Sequence, residues 1–94
     1  MPMPFPETIT EAAFDRQRGV CAMCGKCLCW GNYLKRGRGA WQAHHINGNN
    51  SDHRLRNCAC LCVNLPERCH YQAHEGNYRD GRILASTFFP YLNG

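Results

Sequence analysis

A chain of 94 residues makes one domain, and a domain this small buries only about 60% of its unfolded surface, so its core needs reinforcement. No apolar run of roughly 18 residues is present, which excludes a membrane-spanning helix, and no basic–apolar–small-residue leader opens the sequence. Without a leader a disulfide framework loses its compartment, so a cytoplasmic protein is expected and the eight cysteines read first as metal ligands. The net charge of +4 is unevenly placed. Residues 16–56 carry Arg16, Arg18, Lys26, Lys35, Arg36, Arg38, Arg54 and Arg56 against Asp52 alone. A basic block of this kind favours a polyanionic partner, because cations on phosphates release counterions. A solvated surface is the competing explanation.

In chain order, the proline-alternating start MPMPFP predicts a flexible segment over residues 1–7, ahead of a single domain over 8–94. A short helix follows over 8–19. A threonine would cap it, Ala13 and Phe14 would anchor it, and Gly19 would stop it. Residues 21–40 read as a cysteine knuckle and an exposed basic loop. Residues 41–46 form a strand with Trp41, Ala43 and His45 on one face and Gln42, His44 and Ile46 on the other. Asn47 to Asp52 is a turn and loop, Cys58 to Cys62 a second strand, and Pro66 to about Glu75 a helix. The apolar tail over 83–92 would close the core or meet a partner.

Cys21-Ala-Met-Cys24-Gly has the spacing of a zinc knuckle, in which two thiolates three positions apart reach one tetrahedral ion. Cys62 and Cys69 are the expected second pair, although Cys27 or Cys29 could replace one of the four. Cys58 and Cys60 read as small buried apolar residues. His70 and His74 stand four apart on the second helix and so share a face suited to one metal. Cys69 points roughly 100° away from that face. In the first strand His44 and His45 face opposite ways, one towards a metal and the other towards a separate target such as water.

Cys21-x-x-Cys24, Ala43-His-His-Ile46, Asn57, Leu61-Cys62 and Cys69-His70-x-x-x-His74 together resemble the HNH nucleases. The resemblance spans somewhat over half the chain, with a motif core over 21–75. It implies a small, metal-stabilised α+β fold: the ββα-metal (His-Me finger) core with a zinc knuckle and a short N-terminal helix. It further implies that His44, His70 and His74 bind a catalytic divalent metal, that His45 is the general base, and that Asn57 braces the loop positioning it. Cys21, Cys24, Cys62 and Cys69 would hold structural Zn²⁺. Lys35, Arg36, Arg38, Arg54 and Arg56 would grip the phosphates of double-stranded DNA, with Arg79 and Arg82 extending the grip. The implied activity is weakly specific endonucleolytic hydrolysis to 5′-phosphate and 3′-hydroxyl ends. Three nitrogen ligands favour Ni²⁺, Co²⁺, Mn²⁺ or Zn²⁺ at least as much as Mg²⁺. A homodimer or a larger phage or restriction assembly fits a chain with one active site. The alternative is a non-catalytic zinc module that binds nucleic acid. Two features depart from the family pattern: the long gap from Cys62 to Cys69, and Asn47-Gly48 where a proline often follows the histidine pair. His53, in the loop, reads as solvent-exposed.

Overall fold

Residues Trp41–His45 (β1) and Cys58–Cys62 (β2) pair as an antiparallel two-stranded sheet, with Trp41 opposite Cys62 and His45 opposite Cys58. The computed structural model describes residues 5–47, 49, 51–64, 68–75 and 89–93, and for residues 72, 74 and 75 the backbone only. Over that range the chain is a small α+β fold. It consists of helix α1 (Glu7–Arg16), the hairpin, and helix α2 (Cys69–Glu75), with single 3₁₀ turns at Trp30–Asn32 and Leu55–Asn57. Among the described residues no helix is long and apolar enough to cross a membrane.

A bare two-stranded hairpin is marginal in water, so both of its faces must be covered. On one side Trp41, Cys58 and Cys60 pack with Phe5 and Ala13, beneath α1. On the other, Ile46, Ala59 and Leu61 pack with Cys21, Cys62, Cys69, Ala73 and Phe89. The free edge of β2 is closed by a side chain. Gln17, fully buried, accepts from the Cys60 N–H at 2.9 Å and donates to the Cys60 carbonyl at 3.0 Å, as a neighbouring strand would. Arg16 donates to the carbonyls of Leu92, Leu55 and Cys58, which ties the end of α1 to the C-terminal turn and the sheet. Burial lowers the Arg16 pKa from its ordinary value, while Cys58 and Cys60 oppose that shift.

Five boundaries differ from the sequence expectation, the smallest being that β1 ends at His45 rather than Ile46. Helix α1 begins at Glu7 rather than Thr8, and no threonine caps it. The Pro6 carbonyl accepts from Ile9 and Thr10, while the Thr10 hydroxyl donates back to the Glu7 carbonyl. The helix stops at Arg16 because both Arg18 and Gly19 take positive φ, with the Gly19 N–H closing on the Phe14 carbonyl. Phe5 lies inside the segment expected to be flexible, yet it is buried in the core under α1. Helix α2 begins at Cys69, not Pro66, because Arg68 has a φ of 44° and a right-handed helix cannot run back through it. Pro66, Gly76, Arg79, Arg82 and the apolar stretch 83–88 lie outside the described residues.

Candidate functional site

The cysteine knuckle is shaped by its own turn. Cys21 N–H donates to the Lys26 carbonyl, and Gly25 N–H donates back to the Cys21 carbonyl at 2.9 Å. Gly25 needs its positive φ of 75°, and a Cβ there would come within 2.9 Å of the Tyr91 ring. This turn delivers Cys21 and Cys24 to the end of β2. There Cys62 projects from the strand, and Cys69 arrives on the first residue of α2. The four sulfurs lie within 4.8 Å of one another, and three of the four residues are buried. Cys24 and Cys62 sulfurs stand 3.7 Å apart. Ligands of a tetrahedral zinc thiolate site, with Zn–S near 2.3 Å, are separated by about 3.8 Å, so the cluster fits a metal ion such as zinc.

The electrostatics of the cluster agree with that fit. Thiols of Cys62 and Cys69 donate to Cys21, and the Cys62 N–H also points at its sulfur at 3.4 Å. Cys21 is consequently driven far below the ordinary thiol range, while Cys62 and Cys69 are pushed up by the thiolate they face. Sulfurs that share protons at this spacing are donors whose protons a bound cation would replace. Cys27 and Cys29 are exposed and outside the cluster. Cys58 and Cys60 are fully buried beneath α1, and the hydrogen bond between the two thiols, then burial, raises the Cys60 pKa.

Strand β1 sends its two histidines to opposite sides. His44 is buried on the α2 side, where its ring meets His70 edge-on at 5.5 Å between centroids, with Phe89 at 6.2 Å. His74 follows His70 by one helical turn in α2, and its side chain lies outside the described residues. His45 emerges on the α1 side. Phe5 stacks on it at 4.0 Å and 14° between planes, and His53 contacts it at 5.4 Å. His45 Nε2 and His53 Nδ1 are both buried without a hydrogen-bond partner among the described residues. Burial, then His53, keeps His45 below the ordinary imidazole range against an opposing effect of Asp52, so it stays neutral near pH 7.

Between the two strands, Asn57 spans the connecting loop. Its Oδ1 accepts from the Asn47 N–H at 2.9 Å, and its Nδ2 donates to the Asp52 carbonyl at 2.9 Å. Asp52 also accepts from the Asn47 side chain and from Arg54 Nε at 2.8 Å, and Arg54 holds its carboxyl well below the usual range. Arg54 is therefore engaged within the loop, whereas Lys35, Arg36, Arg38 and Arg56 are exposed.

Two residues of this site escape a reading of the sequence alone. His53 is not solvent-exposed as expected; it packs against Phe5 and His45 because the Asn57 brace folds its loop back over the strand. Phe5, the one aromatic residue among the N-terminal prolines, supplies the stacking surface. Its isolation among residues that cannot form a helix or a ladder was the available signal. Comparison with known proteins leaves the chain to be judged on this geometry: no family model, no curated protein and no solved structure matches it.

Proposed function

We propose that the protein is a metal-dependent DNA endonuclease of the HNH type, with the ββα-metal arrangement in its hairpin and second helix. The observation that carries the reading is the histidine pair on β1. One imidazole faces His70, and the other is kept neutral beside a loop strapped at both ends by Asn57. A structural role explains neither the unpartnered Nε2 of His45 nor the convergence of His44 and His70 from separate elements.

In this reading His44, His70 and His74 would hold a divalent ion, which would offset charge on the scissile phosphate and on the leaving oxygen. The 5.5 Å separation of the His44 and His70 rings suits two donors to one ion. His45 accepts a proton from the attacking water through Nε2, which its neutral state leaves available. Asn57 holds the 47–52 loop against β1, so that His53 and Phe5 flank the base and restrict its rotation. The cysteine cluster fixes α2 relative to β2, and with it the position of His70. Arg56 and the basic loop at 35–38 supply contacts to phosphates, which position a duplex without specifying its sequence.

The test is plasmid relaxation after removal of loosely held metal, with each divalent ion restored in turn, for wild type beside His45→Ala. Metal-dependent conversion to open-circular or linear DNA should fall by about 10²–10⁴-fold in the variant, the range for loss of a general base. Zinc content should be unchanged. If both proteins retain zinc and retard DNA in a gel but cut with no ion, the protein is a non-catalytic binding module.

A further inference from the structure

An aromatic and basic corner lies at the Trp41 end of β1, away from the histidines. Trp30 is 39% exposed and Leu34 59%, the latter at a φ of 58° that side chains rarely adopt. The indole of Trp30 does not swing freely. Phe14 meets it edge-on at 5.3 Å and Trp41 lies at 5.7 Å, while Tyr33 stacks on Trp41 at 4.4 Å. Beside it runs the loop carrying Lys35, Arg36 and Arg38, all exposed and without an acidic partner among the described residues. Asp52, the one acid of the basic block, is already occupied by Arg54.

This loop is held in shape through its backbone carbonyls. Asn32 Nδ2 donates to the Arg38 carbonyl and Asn64 Nδ2 to the Gly37 carbonyl, each at 2.7 Å. Gly39 closes the base of the loop. Its carbonyl accepts from Cys29 N–H at 2.9 Å, and a Cβ there would fall 2.6 Å from that nitrogen. A backbone held in shape thus presents three cationic side chains within four residues of one another, beside an exposed, buttressed indole. Like charges so placed repel one another unless a polyanion lies across them.

We propose that this corner is a docking surface for single-stranded nucleic acid, with an unpaired base stacked on Trp30 and the adjoining phosphates on Lys35, Arg36 and Arg38. Charge complementarity selects a nucleic acid, and the indole selects an unpaired strand, because a duplex hides the faces of its bases. DNA and RNA share this chemistry. Trp41, which supports Trp30, is four residues from His45 on the same strand, a span of about 13 Å. One short strand could therefore reach both the platform and the candidate base. Any effect on cleavage rests on the nuclease reading, whereas binding at this corner does not.

The experiment is anisotropy of labelled oligonucleotides with the zinc-loaded full chain and no other divalent ion. Oligothymidine, oligouridine, an abasic strand and a duplex are compared. Trp30→Ala should weaken oligothymidine binding about tenfold and leave duplex binding unchanged, and the abasic strand should show the same loss with wild type. Trp30→Phe, which keeps a stacking face, should recover most of the affinity. Lys35→Gln/Arg36→Gln/Arg38→Gln, confined to an exposed loop, should keep its zinc and lower the salt slope for single strands by about two. A preference for either sugar supports the surface and names its source. Equal binding by wild type and Trp30→Ala, or a preference for the duplex, overturns the proposal. Absence of cleavage with every metal would sink the nuclease reading while leaving these isotherms as they are.

Discussion

Strand β2 reads Cys-Ala-Cys-Leu-Cys, and its cysteines serve two different purposes. Cys62, at the strand end, meets Cys21, Cys24 and Cys69 in a cluster whose sulfurs lie within 4.8 Å. Cys58 and Cys60, two and one pleats earlier, are buried among Phe5, Ala13 and Trp41 and, among the described residues, lie outside that cluster. Side-chain chemistry is the same in both places. The difference is convergence: a thiol joins a cluster able to hold a metal when two other segments bring three thiols to it, and otherwise it fills space as a small apolar group. Function in this chain depends on what tertiary contacts bring to a residue at least as much as on residue type.

The sharpest way to break this comparison is to treat the two kinds of cysteine alike. Strong chelation, or Cys69→Ala, should unfold the protein, since a structural zinc site contributes about 10–16 kcal/mol to folding. Cys60→Ala should cost only about 1 kcal/mol and leave one metal bound per chain. Circular dichroism with metal analysis reads both, and loss of metal from Cys60→Ala would show that the partition is wrong.

A second prediction concerns the α1 face, which relies on apolar packing where the α2 face relies on sulfur. Phe5→Ala removes a nearly buried ring stacked on His45, and should lower stability in urea by about 3 kcal/mol with metal content unchanged. If the urea midpoint does not move, Phe5 does not hold this face together.

The smallest effect is a pH dependence. The folded state holds His45 below its ordinary value of 6.5, so it binds that proton less readily than the unfolded chain does. Its contribution is complete above pH 6.5 and is lost as pH falls from there towards the folded value. His45→Gln should flatten this acid limb in denaturation curves taken across that window. An unchanged slope would show that burial beside Phe5 and His53 does not control the imidazole.

Much of this was legible in the chain. The Cys21-x-x-Cys24 spacing carries its own turn, with Gly25 at the position that needs positive φ, so the knuckle is a local property. Alternation over Trp41–His45 assigns His44 and His45 to opposite faces, because strand periodicity is geometric rather than contextual. The same holds for Cys58–Cys62 as a strand. The helix limits were less legible, since Pro6 and the left-handed Arg68 set them through backbone conformation that residue identity leaves open.

Long-range closure is what the tertiary structure alone decided. It chose Cys62 and Cys69, rather than Cys27 or Cys29, as partners of the knuckle, although all are cysteines at plausible distances along the chain. It brought Phe5 and His53 from separate segments onto His45, and it placed Gln17 against the open edge of β2. Each of these contacts satisfies a group that the local sequence leaves exposed: a thiolate, an imidazole face, an unpaired strand edge. Sequence periodicity states which groups need a partner. Which residue supplies it is settled when burial makes leaving that group unsatisfied more costly than ordering the chain around it.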